Sequence, residues 1–491
     1  MARYVIAADC GTTSVRSLAF DVDTGRHQVC HSEPVSLSFP QPGWVEVDPD
    51  LLAQVTIRAV RAAVDWVAQS GGTAVALGLT NMRESAFTWQ KSTGQIVYPG
   101  IMWMSQQSEP VVEEWRAAGL DELIRSRTGL SNHSFFFGSK LAWLLLTNSD
   151  AKKLADQGDL AAGTLESWLL YRLTGGAVHA TDVSNGSRYQ FMDLKTRTWD
   201  EEMCEALGVP RSTLPDLRPS EYHFGTTDPD VCGQAIPITG IVADQQAALY
   251  GHGCEDRGDV KATFGTSGVV ALNTGSEAVL PEGLIACVGW EDAAGNSCYE
   301  TEGSAFHSGY TVGWLRQRFG NAIPETARER SHLDPRDRVY ILPSFSEMGA
   351  PRWPTRRGAV ITGLGMDTTP EEITEAAVEA MAFQAYDLFA AMGEVGAGTK
   401  DVAVDGGGAA NDVLCQLLAD LFGCDVVRPD NTEQTSAGAA KAALRGVGER
   451  ADRYFGQDRS RAQRIRPSGD TSYAHGGYAE WVRLIDTVLQ S

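Results

Sequence analysis

The sequence has no run of 18 apolar residues, which is the length that a membrane-spanning helix needs. Its N-terminus reaches Asp9 before an apolar signal-peptide core can form, so no secretion signal is expected. Positive charge is also scarce, since 41 Lys and Arg face 63 Asp and Glu, for a net charge of −22. A nucleic-acid-binding surface would have to be a local exception in this negative field. These absences predict a cytoplasmic protein without a membrane or nucleic-acid partner.

Several well-known motifs are missing as well. The chain has no G-x-x-x-x-G-K-[ST] and no H-R-D or D-F-G, which argues against P-loop and protein-kinase chemistry. Residues 406–411 (GGGAAN) fall one residue short of G-x-G-x-x-G, which disfavours a Rossmann dinucleotide site. The nine cysteines show no C-x-x-C spacing, so we expect reduced thiols rather than disulfides or a zinc site.

What the sequence does contain is an alternation of strand and helix patterns. A length of 491 residues with 43% hydrophobic content predicts roughly two to four domains with large cores. Two apolar runs around a Gly-Thr turn at residues 4–20 predict a β-hairpin. Asp48 and Pro49 then open a helix as its N-cap and first residue, and a strand follows at residues 74–79. This alternation predicts an α/β fold with largely buried sheets.

The second half repeats the pattern of the first. Residues 260–272 again place two apolar runs around a Gly-Thr-hydroxyl turn. The repeat predicts two related lobes, residues 1–243 and 244–491. Further on, Thr369 opens a long helix with a capping box. Residues 401–428 then predict a strand, a glycine turn, a helix and a strand, a layout suited to holding a nucleotide at the carboxyl ends of strands.

The two hairpin turns are candidate phosphate sites. Their backbone N–H groups and hydroxyls can bind anions, although each turn alone is more simply an ordinary hairpin turn. Two such turns, with Asp9 beside the first and Asp244 at a strand end, favour the phosphate interpretation. Asp244 itself either projects into a cleft or acts as the N-cap of the following helix, and the sequence leaves both open.

Other residues point to a polyol. Arg83 and Glu84 end another strand, where they either grip hydroxyl groups or form a loop salt bridge. Trp103 and residues 135–137 (FFF) offer a sugar-facing aromatic wall, or are core residues.

Together these segments resemble the FGGY carbohydrate kinases and, within that family, the glycerol kinases. The resemblance extends over nearly the whole chain and is carried by AADCGTTSVRSLAFD near the N-terminus, PGWVEVDP at 42–49, residues 79–103, GIVADQQAALYG at 240–251, FGTSG at 264–268, and residues 358–384 and 404–429. It implies two RNase-H-like α/β lobes of the sugar kinase, Hsp70 and actin superfamily, with an interlobe cleft. It also implies phosphorylation of a hydroxyl of a small polyol or sugar, with ATP and Mg²⁺ as cofactors.

The resemblance further implies a role for individual residues. The residues expected at the ATP phosphates are Thr12, Thr13, Ser14, Arg16 and Thr266. Those expected to line the nucleotide site are Gly309, Gly313, Gly407 and Asn411. Those expected to hold the polyol are Arg83, Glu84, Trp103, Phe135, Asp244 and Gln245. Asp244 would be the general base, and Asp9 with Asp244 would be oriented toward Mg²⁺, which suits a reaction that needs positioning, charge neutralisation and removal of one proton.

The sequence departs from the glycerol kinases at the substrate end. Phe135 stands where they have a Tyr whose hydroxyl contacts glycerol, residues 105–107 (SQQ) replace an acid and two bases, and Gly313 replaces a Gln near the nucleotide. These departures predict that glycerol is a poorer substrate than some four- or five-carbon polyol or ketose of the xylulose, ribulose or erythritol type. An ATPase switch of the superfamily and a non-catalytic sugar sensor are further alternatives, and the retained Asp244 counts against both. A homo-oligomer, dimer or tetramer, stays open.

Overall fold

The computed structural model describes residues 1–319, 334–345, 348–353, 358–451 and 462–488. The strands of the first half are Arg3–Cys10 (β1), Ser14–Asp21 (β2), His27–Pro34 (β3), Leu37–Ser38 (β4), Glu46–Val47 (β5), Thr73–Asn81 (β6), Ala86–Gln90 (β7), Ile96–Ile101 (β8), Leu160–Gly163 (β9), Ala180–Asp182 (β10), Met192–Asp193 (β11), Thr198–Trp199 (β12), Asp216–Arg218 (β13), Glu221–Thr226 (β14) and Pro237–Ile241 (β15). Its helices are Pro49–Gln69 (α1), Glu109–Ala117 (α2), Asp121–Thr128 (α3), Phe137–Thr147 (α4), Ser149–Asp156 (α5), Leu165–Leu173 (α6), Val183–Gly186 (α7), Glu201–Ala206 (α8) and Pro229–Cys232 (α9).

The second half continues the alternation of strands and helices. Its strands are Val260–Phe264 (β16), Gly268–Gly275 (β17), Ile285–Glu291 (β18), Ser297–Ala305 (β19), Tyr340–Leu342 (β20), Val360–Thr362 (β21), Asp401–Asp405 (β22), Asp425–Arg428 (β23) and Gln463–Ile465 (β24). Its helices are Asp244–Gly251 (α10), Ser308–Phe319 (α11), Pro370–Ala391 (α12), Asp412–Phe422 (α13), Gln434–Gly446 (α14) and Ser472–Val488 (α15).

The first large sheet has the strand order β14-β15-β6-β1-β2-β3 among the described residues. The predicted hairpin is present, since β1 pairs antiparallel with β2, while β6 lies parallel to β1 on the other side. Helix α1 covers one face, and it begins as predicted, because the Asp48 side chain accepts hydrogen bonds from two backbone N–H groups of its first turn. Helix α14 covers the opposite face at very short range. A Cβ atom at Gly78 or Gly240 would lie 2.3 Å from a backbone atom of α14, so both positions require glycine.

The second large sheet repeats this plan. Its order among the described residues is β18-β19-β17-β16-β22-β23-β24, with β16 antiparallel to β17 and parallel to β22. Helix α12 starts with the predicted capping box, in which Thr369 and Glu372 bond each other's backbone N–H groups. The predicted α/β fold of two RNase-H-like lobes is therefore confirmed, and each lobe is built around a hairpin whose first strand lies parallel to a later strand.

A smaller sheet, of order β4-β5-β8-β7-β9, belongs to the first half and packs with α4 and its neighbours around a separate apolar core. This core takes up part of the aromatic run that the sequence offered as a sugar-facing wall. Phe136 and Phe137 are fully buried among apolar side chains, whereas Phe135 is only half-buried. The wall interpretation is therefore wrong for Phe136 and Phe137, because Phe137 packs in this core at the start of α4 and Phe136 packs in a small apolar cluster with Leu130 and Ile285.

None of the helices described is both long enough and apolar enough to span a bilayer. All nine cysteines are free thiols, and six of them are buried.

Candidate active site

A cavity of about 500 Å³ lies at the C-terminal lobe, between the β16–β17 turn, helix α11 and the loop after β22. Thr266, Gly309, Gly313, Gly407 and Asn411, all assigned to the nucleotide by the sequence, line this one cavity. A Cβ atom at Gly309 would lie 2.2 Å from the backbone oxygen of Gly265, so only glycine lets α11 approach the turn. Gly313 and Gly407 are different, because an added Cβ atom at either would meet no heavy atom of the described residues within 4 Å.

Two local features determine the path of the loop after β22, which forms one wall of this cavity. Gly406 has φ +81°, and a Cβ atom there would lie 2.5 Å from the Phe264 backbone oxygen, so the chain turns tightly against β16. Of these two neighbouring glycines, Gly406 has the positive φ and Gly407 has an ordinary backbone conformation. Asn411 then acts as the N-cap of α13, since its Oδ1 accepts from the N–H groups of Val413 (2.9 Å) and Leu414 (3.1 Å).

A second cavity, of about 210 Å³, lies between the lobes. It brings together residues from segments that are far apart in the chain. Among its lining residues are the predicted Thr12, Thr13, Arg83, Glu84, Trp103, Phe135, Asp244, Gln245 and Thr266. Thr266 lines both cavities, so the two adjoin at the β16–β17 turn.

Asp244 is the first residue of α10, directly after β15. Ala243, not Asp244, occupies the N-cap position of that helix, so the N-cap alternative is wrong. The Asp244 side chain is 26% exposed, and its Oδ1 lies 3.5 Å from Arg83 Nε. Burial raises the pKa of Asp244 to about 6 against the lowering effect of Arg83, and the charge of Asp9 contributes to the rise. A carboxylate of this kind is ionised at neutral pH yet remains basic enough to accept a proton.

Arg83 and Glu84 are part of a buried ion-pair network. Arg83 Nη1 donates to Glu302 Oε2 (2.6 Å), Arg83 Nη2 donates to Glu302 Oε1 (2.9 Å), and Arg188 Nε donates to Glu84 Oε1 (2.6 Å). Glu84 has φ +59°, a conformation that few residues other than glycine adopt and that neighbouring contacts must hold in place. The cavity role and the salt-bridge role, which the sequence left as alternatives, therefore belong to the same two side chains.

Sequence reasoning missed Arg188 and Glu302. The sequence around Glu302 does contain a signal. Glu300 and Glu302 alternate in a strand pattern that is otherwise small or apolar, which places both carboxylates on one face of the strand. Carboxylates that are buried on a strand face need polar partners. Arg188 lies in a loop after α7 and left no such signal.

The aromatic side of the cavity has its own support. Trp103 Nε1 donates to Thr12 Oγ1 (2.9 Å), and the rings of Trp103 and Phe135 meet edge-on at 5.7 Å. Lys140, also missed, donates from Nζ to the backbone oxygens of Ser134 (2.7 Å), Phe135 (2.7 Å) and Phe136 (3.1 Å). Burial lowers the pKa of Lys140 to about 7. Its three hydrogen bonds hold the segment that carries Phe135.

Three predicted phosphate-side residues lie beside the cavities rather than in their walls. Asp9, Ser14 and Arg16 are absent from the lining of both cavities as the described residues form them. Arg16 lies between two carboxylates, with Nη2 at 2.7 Å from Asp9 Oδ2 and Nη1 at 2.7 Å from Glu433 Oε2.

The donor set fits Mg²⁺. Asp244 lines the cavity together with the Thr12 and Thr13 hydroxyls, and Asp9 lies near enough for its charge to raise the pKa of Asp244. Hard oxygen ligands of this kind are those that Mg²⁺ prefers. The repulsion between the two carboxylates is also what a bound cation would relieve.

Two related lobes, a glycine-lined cavity and an adjoining cavity that contains a carboxylate of raised pKa are features of a two-lobed phosphotransferase. Comparisons with known proteins narrow this class. The family model "FGGY family of carbohydrate kinases, N-terminal domain" matches residues 4–251, and "FGGY family of carbohydrate kinases, C-terminal domain" matches residues 260–447. The chain belongs to the FGGY family of carbohydrate kinases. It is a carbohydrate or polyol kinase that uses ATP and Mg²⁺.

Individual relatives agree with this family. The glycerol kinase of Carboxydothermus hydrogenoformans is 37% identical over 492 residues, which cover 98% of this chain and 97% of that protein. The glycerol kinase of Alkalilimnicola ehrlichii is 39% identical, with 90% of each chain covered. The crystal structure of Plasmodium falciparum glycerol kinase with ADP superposes with a TM-score of 0.88 at 26% identity, covering 99% of this chain and 98% of that one. A ligand-bound xylulose kinase from Lactobacillus acidophilus (TM-score 0.85, 18% identity, 100% and 99% covered) shares the fold.

Proposed function

We propose that this kinase transfers the γ-phosphoryl group of ATP to a hydroxyl of glycerol. The observation that carries the proposal is the 210 Å³ cavity, in which Arg83, Glu84 and Asp244 lie opposite the Trp103 and Phe135 rings. The four- or five-carbon alternative is not favoured, because the relatives at 36–39% identity are glycerol kinases and the xylulose kinases share only the fold.

In this proposal each side chain has a physical task. Arg83 donates to, and Glu84 accepts from, hydroxyl groups of the substrate, while Trp103 and Phe135 pack on its carbon chain and exclude water. Asp244 accepts the proton of the attacking hydroxyl. Asp9 and Asp244 would hold Mg²⁺, which would neutralise phosphate charge when bound. On the nucleotide side, the open face at Gly407 leaves room for ATP.

Three further proposals accompany this function. The boundary between the two lobes is proposed to lie between residues 243 and 244. The first lobe then holds most of the polyol site, and the second lobe holds the nucleotide. Free cysteines support a reducing, cytoplasmic location. A dimer or tetramer is the proposed assembly, and light scattering of the purified protein tests it.

The function is tested by coupled ADP release with glycerol, erythritol, xylulose and ribulose. Glycerol is expected to give the highest kcat/KM, and Asp244→Asn is expected to lower its kcat by about 10²–10⁴ while the KM for ATP barely changes. Asp156→Asn, at an exposed site in α5, is the matched control. ATP hydrolysis that no polyol stimulates, or a higher kcat/KM for a longer substrate, would contradict the proposal.

A further inference from the structure

Glu302 is a fully buried carboxylate of the C-terminal sheet that contacts Arg83, a residue of the polyol cavity. It lies on β19, whereas Arg83 follows β6 in the other lobe. Both of its oxygens accept from the Arg83 guanidinium, at 2.6 and 2.9 Å. A bidentate pair of this kind fixes the plane of the guanidinium as well as its position.

The donors of Arg83 show what this pairing leaves for a substrate. A guanidinium has five N–H groups, all of them donors. Two are taken by Glu302, and Nη1 also donates to Gln246 Oε1 at 3.2 Å. The Nε–H group and one N–H on Nη2 remain, and Nε lies 3.5 Å from both Glu84 Oε1 and Asp244 Oδ1. The side of Arg83 that is left to donate is thus the side nearest the proposed base.

Glu302 also reaches the residue that holds Glu84. Its Oε1 lies 3.4 Å from Arg188 Nη2, while Arg188 Nε donates to Glu84 Oε1. Burial disfavours a charge on Glu302, but Arg83 and Arg188 outweigh this effect and hold the pKa of Glu302 below its ordinary value. Glu302 and Glu84 together therefore offset the repulsion between two buried guanidinium groups, those of Arg83 and Arg188.

We propose that Glu302 is the positioning residue that orients Arg83 and, through Arg188, Glu84 for polyol binding, from the lobe opposite to theirs. The inference rests on the proposed function of the cavity. In this arrangement, a residue of the nucleotide-binding lobe fixes the orientation of Arg83 and Glu84, the two side chains that bind the polyol.

The test is Glu302→Gln, which keeps the shape and removes the charge. Its matched control is Glu300→Gln, two residues earlier on the same strand and equally buried. Glu300 Oε1 accepts from Cys287 Sγ (3.2 Å), and within the described residues Glu300 bonds neither arginine. Burial and the charge of Glu302 raise the pKa of Glu300 above its ordinary value.

For Glu302→Gln we expect the KM for glycerol to rise at least tenfold, with less than a twofold change in the KM for ATP. Glu300→Gln should change both by less than twofold. Glu302→Asp, which keeps the charge but shortens the reach, should lie between the wild type and Glu302→Gln. It also carries the test if Glu302→Gln does not fold.

The outcomes separate this inference from the proposed function. A wild-type enzyme that phosphorylates no polyol overturns the proposed function. An active wild type with an unchanged glycerol KM in Glu302→Gln overturns the inference alone. Equal rises in the KM values for glycerol and ATP also overturn it, since they indicate general loosening of the lobes rather than positioning of Arg83.

Discussion

Gly407→Val separates nucleotide binding from folding more cleanly than any other change in the glycine loop. Gly407 lines the 500 Å³ cavity and has an ordinary φ. In the part of the chain that the structure describes, no heavy atom lies within 4 Å of where its Cβ atom would be. A branched side chain there should cost the fold little. It would occupy space that the proposed function assigns to ATP.

The size of the effect follows from overpacking. Forcing extra methyl groups into a fitted space typically costs about 1–3 kcal/mol. If ATP bears that cost, its Kd rises about 5- to 150-fold, because each 1.4 kcal/mol is tenfold. The melting temperature of the nucleotide-free protein should stay close to that of the wild type. Titration calorimetry with ATP and thermal unfolding without it measure the two quantities.

Substitutions at two other glycines serve as controls for Gly407→Val. Gly398→Val makes the same change at a site that is equally open but outside the cavity, so ATP affinity should not move. At Gly408 a Cβ atom would lie 2.7 Å from Phe264 Cβ and 3.0 Å from Met381 Cε, so Gly408→Val should lower the melting temperature. Folded Gly407→Val with wild-type ATP affinity would refute the reasoning and remove this loop from the nucleotide site.

Three further predictions concern the polyol cavity. Burial raises the pKa of Asp244 to about 6 in the protein without bound Mg²⁺, well above the ordinary value of an aspartate. The same raised pKa means that ionising Asp244 costs stability above pH 4, so Asp244→Asn should melt higher than the wild type at pH 8 but not at pH 4. Phe135→Tyr adds one hydroxyl beside the cavity and should improve kcat/KM for glycerol about two- to tenfold; a fall would argue against Phe135 as a substrate contact. Lys140→Met removes the three bonds that hold the segment carrying Phe135 and should raise the KM for glycerol but not for ATP, whereas Lys153→Met, at an exposed site on α5, should change neither.

Much of the fold was predictable because its signals are local. The N-cap of α1 at Asp48, the capping box at Thr369 and the two hairpins each depend on residues within a few positions of one another. The positions of Arg83 and Asp244 were predictable for the same reason. Each comes shortly after a buried strand, and a polar residue there lies at the carboxyl end of the sheet whichever strands are its neighbours.

The tertiary structure decided which of these residues meet. Arg83 and Glu302 are 219 positions apart, and Arg16 and Glu433 are 417 apart. Such pairs depend on how two sheets and the helices between them assemble, and no local periodicity encodes that. The three consecutive phenylalanines also depend on tertiary structure. Phe135 lines the cavity, whereas Phe136 and Phe137, at the start of α4, are buried among other side chains. Sequence alone determined the kinds of groups available, while packing between distant segments determined which of them face a substrate.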